Sequence, residues 1–490
     1  MKKSFKVLVV ILAIFVLALC FVGCKKEVEP DLSGYSIEAQ GAIKDFVKAY
    51  GKDSPNYSNS AYIVSDFDNT TSIFDITYQC SVYQIQTMAF KMTPDEFRVA
   101  LNKYVNDATS TKYINDIINA YTHLIATYGE FSPSGIDESR LNELHQDVYW
   151  KEFSTKLKSY FLYVETIIDD PSACAWIMYW YTNMTEDEVY NLFLRSCLKY
   201  KDEDTTEVTW ISPSSIDSEM GVVSCTFLLG CSVTQSVKNM LTYYYENGIA
   251  TWICSASHVD GVRAAVDAFG LSNCITGVIG MTQKLENGKF LPEYDYVTGY
   301  PYYNKNGTWE KATTPIKALP SREGKVDAIK NFLVPTYNAY PLAGFMDASG
   351  DFNFCTEFKS MKLAICYNRA DRKITDGAGL VAVAAMHQRN QKENLASANE
   401  KGDTYYILQG RDENNKRALR ESVGTLKFGS SEEKIFANDK NAVLLKYLSD
   451  NNLSLETFFN TFVIKTNAAD SCIGYDYGYL DNYAGYHSIK

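Results

Sequence analysis

The chain predicts an α/β fold, a parallel sheet covered by helices, with a helical domain inserted near its start. Three observations carry this prediction. Ala61-Tyr62-Ile63-Val64 is a short apolar run of the kind that forms a buried strand. From about Tyr78 to Tyr200 the apolar spacing is helical. From about Gly221 to Tyr367, short β-type runs alternate with helical stretches, the pattern of a parallel sheet with both faces covered.

The N-terminus stands apart from the fold. Lys2, Lys3 and Lys6 precede the apolar run Val7–Val22, whose 16 residues are short for a membrane span. Phe21-Val22-Gly23-Cys24 ends the run, and the stretch resembles a bacterial lipoprotein signal peptide covering 1–24. Phe21 departs from the Leu usual at its position. The resemblance implies lipidation of Cys24, export, and attachment to a membrane through the lipid, on the cell-surface or periplasmic side. Residues 25–60 read as a tether and a helix over Ser36–Tyr50, with Ile37, Ala42, Ile43, Phe46, Val47 and Tyr50 on one side.

The helical insert is expected over 81–220. Two capping boxes, Thr93-Pro94-Asp95-Glu96 and Thr185-Glu186-Asp187-Glu188, mark helix starts within it. Thr111–Tyr128 and Val148–Ile168 are amphipathic. The α/β core is expected over 61–80 with 221–375. Its elements are a helix at Ser232–Asn247, a strand at Ala250–Cys254 and a helix at Val259–Phe269, stopped by Gly270. A strand at Cys274–Gly280 and turns at Asn287-Gly288 and Asn306-Gly307 follow. A helix at Lys325–Val334 and strands at Pro341–Met346 and Lys362–Tyr367 complete it. Residues 376–490 read as a mixed extension packed on the core. It holds helices at Leu380–Arg389, Ala442–Leu448 and Leu455–Phe462 and a strand at Thr404–Leu408.

Composition excludes some functions. The 490 residues are 46% hydrophobic, enough for a large core, and the formal charge of −12 argues against generic nucleic-acid binding. The 12 cysteines form no paired C-x-x-C metal pattern. The five histidines sit in no His-Glu-x-x-His helix, and no Gly-x-Ser-x-Gly elbow occurs, which argues against a His-based hydrolase.

The chemistry concentrates at strand ends. Asp66 and Asp68 follow the first strand with one residue between them, so two carboxylates meet at the mouth of the sheet. Held that close they repel, and the pair favours a cation. The same residues read equally as a polar β-turn. Ser255 ends another strand, where its hydroxyl can donate to a phosphoryl oxygen beside a helix N-terminus. Lys325, in Glu323-Gly324-Lys325-Val326, opens a helix and can neutralise an anion, although most lysines are surface groups; Lys317, Arg322 and Lys330 are alternatives. Asp347 and Asp351 follow a fourth strand.

Asp66-x-Asp68-x-Thr70, the helical insert, Ser255, Lys325 and Asp347-x-x-x-Asp351 occur in the order of the haloacid dehalogenase-like phosphatases. The chain resembles that superfamily over roughly 61–80 and 221–370. Within it, Ser255-Ala256-Ser257 and Glu323-Gly324-Lys325-Val326 look most like the phosphoserine phosphatase and phosphocholine phosphatase branch. Ala348 stands where the family has Ser, and Met346 where it has Gly.

The resemblance implies a Rossmann-like core with a helical cap and a phosphoric monoester hydrolase. In it Asp66 is the nucleophile and Asp68 the acid and base. Mg²⁺ would be held by Asp66, Asp68 through its backbone carbonyl, and Asp347, with Asp351 either on the metal through water or orienting Lys325. Thr70, Ser255 and Lys325 would hold the phosphoryl oxygens. A binding lipoprotein of the same fold is the non-enzymatic alternative.

The expected partner is a small phosphorylated substrate. Between Tyr160 and Tyr181 lie Trp176, Tyr179 and Trp180, which share one helix face, with Glu165 nearby. They read as a helix packed into the core of the insert. The functional alternative is an aromatic cage of Glu165, Trp176, Tyr179 and Trp180 for a quaternary ammonium. That alternative, with the branch resemblance, makes phosphocholine the preferred substrate and phosphoserine the runner-up.

Overall fold

The first strand forms where apolar and β-branched residues leave no polar face. It is Tyr62–Ser65 (β1), buried throughout. The computed structural model describes residues 29–370, 377–435 and 450. The helix Ile37–Tyr50 precedes β1 and is capped by the Ser36 hydroxyl, which accepts from the Ala39 amide. The other strands, in chain order, are Thr206–Ile211 (β2), Ser224–Leu229 (β3), Ala250–His258 (β4), Gly277–Met281 (β5), Gln283–Glu286 (β6) and Lys289–Tyr294 (β7). Tyr302–Lys305 (β8), Thr308–Lys311 (β9), Ala343–Met346 (β10), Leu363–Tyr367 (β11), Tyr405–Gln409 (β12), Thr425–Leu426 (β13) and Glu433–Lys434 (β14) follow.

Eight of these strands make the central sheet, in the order β12-β11-β10-β1-β4-β5-β8-β9. β12 to β5 run parallel, and β8 and β9 turn antiparallel at one edge. This is a Rossmann-like parallel core, with a largely helical insert between β1 and β4. Both Asn-Gly turns form with positive φ at both residues, 53° and 75° at Asn287-Gly288 and 54° and 85° at Asn306-Gly307. Because β1, β4 and β10 are parallel neighbours, their C-terminal ends open on one crevice, where such sheets place their sites.

The insert begins with the helix Ile76–Thr87 and continues through Pro94–Leu101, Ala108–Tyr128, Val148–Ile167, Asp170–Met178 and Glu186–Tyr200. Both expected capping boxes are made, Thr93 with Glu96 and Thr185 with Glu188. Its interior is aromatic: Phe90 lies 5.1 Å from Phe97 and 5.7 Å from Phe153, and Trp176 meets Trp180 edge-on at 5.8 Å. The helix Glu186–Tyr200 packs on the core helix Val259–Ala268 and joins the two layers.

Two features depart from the sequence reading. The hairpin of β2 and β3 straddles the expected boundary at 220, because Thr206-Glu-Val-Thr-Trp-Ile211 alternates with period two and pairs with Ser224–Leu229. It packs on the helix Val148–Ile167 of the insert. The strand expected at Thr404–Leu408 forms as β12 and pairs in parallel with β11, so this part of 376–490 supplies a strand of the core sheet. The expected helix at Leu380–Arg389 forms as Gly377–Asn390. Residues 1–28, including Cys24, and the helices expected at Ala442–Leu448 and Leu455–Phe462 lie outside the described residues. Among the described residues no helix is long and apolar enough to cross a membrane.

Candidate active site

Asp66 leaves β1 in extended conformation, and its amide donates to the Phe345 carbonyl of β10 at 3.1 Å. Its own carbonyl accepts from the hydroxyls of Ser65 at 2.8 Å and Thr71 at 2.7 Å, which fastens the start of the turn. Residues 67–71 then make a tight turn in which Asn69 has φ 61° and ψ 1°. Asn tolerates this left-handed conformation better than most side chains. The turn folds the Asp68 carboxylate against the start of the next helix. There it accepts from the Ile76 amide at 2.7 Å, the Ser257 hydroxyl at 2.7 Å and the Ser255 hydroxyl at 3.2 Å.

Lys325 arrives from the opposite side. Gly324 precedes it because a Cβ there would run into the Leu319 carbonyl. The Lys325 ammonium donates to Asp66 at 2.6 Å and to Asp351 at 2.5 Å. Asp351 also accepts from the Asp347 amide at 3.3 Å. Asp347 accepts from the Thr70 hydroxyl at 3.1 Å and the Arg369 guanidinium at 3.1 Å. All these carboxylates are buried.

Burial dominates the electrostatics. It pushes Asp66 up to about 7, helped by Asp347 and Asp68 and opposed by Lys325. Asp68 is pushed up to about 8 by burial and then by Asp75, against its three hydrogen bonds. A carboxyl that keeps its proton near neutrality can act as an acid. Burial works against the charge of Lys325, but Asp351 and Asp66 overcome it and hold the ammonium well above the ordinary lysine range.

Carboxylate oxygens of Asp66, Asp347 and Asp351 lie within 4.8 Å of one another. Hard oxygen ligands in a buried, negatively charged cluster fit a divalent cation such as Mg²⁺. The Asp68 side chain is not in that set.

These groups open on a cavity of about 180 Å³ between the sheet end and the insert. Asp66, Asp68, Lys325, Asp347 and Asp351 all line it, as the sequence order requires. Thr70 and Ser255 are not among its lining residues: Thr70 orients Asp347, and Ser255 donates to Asp68. Of this stretch Ala256 and Ser257 line the cavity; Ser255 and Ser257, two apart on one strand face, both donate to Asp68.

The cage expected of Trp176, Tyr179 and Trp180 does not form. All three are fully buried in the insert, with the Trp176 indole donating to the Leu101 carbonyl and Tyr179 paired with Tyr104. The helix carrying Trp176 ends at Met178, Tyr179 and Trp180 follow in a 3-10 turn, and all three rings point inward because burying them outweighs leaving them at a wet wall. Glu165 does line the cavity and accepts from the Tyr78 hydroxyl; burial, then Asp170, pushes it up to about 8.

Asn69, Asp75, Asp170, Ser257 and Arg369 also line the cavity and were not singled out from the sequence. Arg369 had a legible signal, since it follows the end of β11, beside β10, on the functional edge of the sheet. Asp75 is readable as a helix cap, accepting from the Tyr78 amide, but not as a cavity residue.

No family model and no curated protein matches the chain. Among solved structures, a conserved functionally unknown protein from Anaerococcus prevotii DSM 20548 is similar at TM-score 0.63 and 24% identity, over 82% of this chain and 99% of that one. That likeness concerns the fold alone. A protein of unknown function from Bordetella pertussis Tohama I reaches TM-score 0.31 at 10% identity, over 63% of this chain and 89% of that one. Cytosolic 5′-nucleotidase IIIB bound to cytidine reaches 0.25 at 10% identity, over 85% and 93%. Both are too distant to bear on the site.

Proposed function

We propose that the chain is a Mg²⁺-dependent phosphoric monoester hydrolase working through an aspartyl-phosphate. The observation that carries this reading is the convergence of Asp66, Asp68, Lys325, Asp347 and Asp351 on one cavity from separate strand and helix ends. Asp66 attacks phosphorus, and the bond to the leaving oxygen breaks as Asp68 gives that oxygen its proton. Water then attacks the same phosphorus, its proton passes to Asp68, and Asp66 is released with inorganic phosphate. Lys325 neutralises Asp66 and the incoming phosphoryl charge together. Asp66, Asp347 and Asp351 would hold Mg²⁺, which supplies charge neutralisation to the phosphoryl group when bound.

The substrate is a small phosphomonoester. With the tryptophans buried, what supports phosphocholine over phosphoserine is the aromatic wall of Tyr78 and Phe161, beside Glu165, which burial keeps largely protonated near neutrality. Cleavage of the signal after Gly23 and lipidation at Cys24 would place the enzyme on the outer face of a membrane.

Turnover of an aryl phosphate with and without Mg²⁺ tests the reading. Hydrolysis that needs the metal and disappears in Asp66→Asn is expected; full activity in that variant would end it.

A further inference from the structure

Asn69 sits in the catalytic turn and lines the cavity, yet its amide is controlled from far along the chain. Arg411, just past the end of β12, is 1% exposed and donates to the Asn69 carbonyl at 2.9 Å and to its side-chain Oδ1 at 3.2 Å. Glu413 holds the guanidinium from the other side, accepting from Nε at 3.2 Å and Nη2 at 2.8 Å. Lys427 supports Glu413 at 2.9 Å.

A guanidinium has only donors, so the amide atom facing it must be the oxygen. Asn69 Nδ2 is therefore the atom turned away from Arg411, and it finds no hydrogen-bond acceptor among the described residues. The left-handed backbone would be served as well by glycine. What Asn adds is an amide with its donor end free, beside a cavity that carries many carboxylates, Asp66, Asp68, Asp347 and Asp351 among them.

We infer that Asn69 is a substrate-contacting residue whose Nδ2 donates to a non-bridging oxygen of the phosphoryl group, and that Arg411, held by Glu413, is the positioning residue that turns it there. The inference rests on the phosphatase reading for its ligand and assigns a catalytic-site role to the segment after β12. A phosphoryl dianion presents several oxygens to be satisfied; Lys325, Arg369 and Ser257 supply donors on this cavity, and the Asn69 amide adds a neutral one without changing the local charge.

The test uses the full chain with Mg²⁺, measuring aryl phosphate turnover, competitive inhibition by inorganic phosphate, and phosphate binding by calorimetry. Asn69→Gly keeps the positive φ and removes the amide. It should raise KM and the phosphate inhibition constant about tenfold, as for one hydrogen bond to a charged group. Asn69→Asp, which still accepts from Arg411 but turns an oxygen to the cavity, should raise them further. Arg411→Met should match Asn69→Gly in the native background and add less than about twofold in the Asn69→Gly background; a purely structural role would give the same factor in both. If Arg411→Met does not fold, Arg411→Lys, which keeps the charge and loses the fork, replaces it. Unchanged phosphate inhibition in Asn69→Gly, with turnover intact, overturns the inference and leaves the phosphatase reading standing. A chain that binds phosphate through Asn69 but turns nothing over overturns that reading and keeps the inference. A chain that neither binds phosphate nor turns over loses both.

Discussion

The floor of the cavity and the interior of the insert are both buried, and they are built on opposite terms. The floor packs Asp66 and Asp351 on Lys325 and Asp347 on Thr70 and Arg369, with charged groups desolvated and partly uncompensated. The insert packs Phe90, Phe97, Tyr121, Phe153, Trp176 and Trp180, whose large apolar surface favours burial, with the Tyr121 hydroxyl and the Trp176 indole donating to the Met92 and Leu101 carbonyls. Burial that costs free energy, as at the floor, points to function. Burial that lowers it, as in the insert, accounts for itself by stability. Trp176, Tyr179 and Trp180 belong to the second kind, which is why they make no cage.

The largest effect that would break this contrast is at Asp66, the proposed nucleophile. Asp66→Asn should cut turnover about 10³-fold or more while the melting temperature holds or rises, since a desolvated carboxyl is replaced by a neutral amide. A large loss of stability in that variant would show that Asp66 is structural. In the insert the expectation reverses. Trp180→Ala should cost about 3–5 kcal/mol in denaturant unfolding, with kcat/KM per folded molecule unchanged; a selective loss of activity would return Trp180 to the cavity wall.

Metal addition sharpens the electrostatic half. Mg²⁺ at a hundred times its Kd should stabilise the fold by about 2.7 kcal/mol, and chelation should reverse this. The same addition to Asp347→Asn should do much less, and an equal shift there would place the metal elsewhere.

The smallest effect lies at the seam between the regions. His258 packs edge-on to Tyr181 of the insert and Phe290 of the core, and burial lowers it to about 3, with Glu186 opposing and Arg263 assisting. Its Nδ1 accepts from the Asp260 amide, so the folded state holds it neutral. Between pH 6.5 and about 3 the unfolded chain binds a proton at His258 that the folded chain does not, so stability falls as pH falls through that window. From pH 7.5 to 5 the contribution should be about 2 kcal/mol. It is read as the difference in unfolding free energy between the native chain and His258→Asn, and parallel pH dependence in the two would show that His258 is charged when folded.

The residues legible in the sequence were those whose meaning is local. Asp66, Asp68, Lys325, Asp347 and Asp351 each sit in a short motif at a predicted strand or helix end, and strand ends are where a parallel sheet gathers its chemistry. The alternation of strands and helices likewise determined the core, and the capping boxes determined where two insert helices begin. Tertiary structure decided the rest. Ser255 and Ser257 lie on one strand face and both donate to Asp68, and which of them also lines the cavity depends on how far along β4 the cavity opens. Which way the Trp176 face turns depends on what packs against it, and periodicity is the same for a face turned inward or toward a ligand. Arg411 reaches Asn69 across 342 residues because β12 completes the sheet beside β11 and carries the segment after it to the turn that follows β1. No local pattern encodes that contact, since it exists only once the sheet has brought its strand ends together.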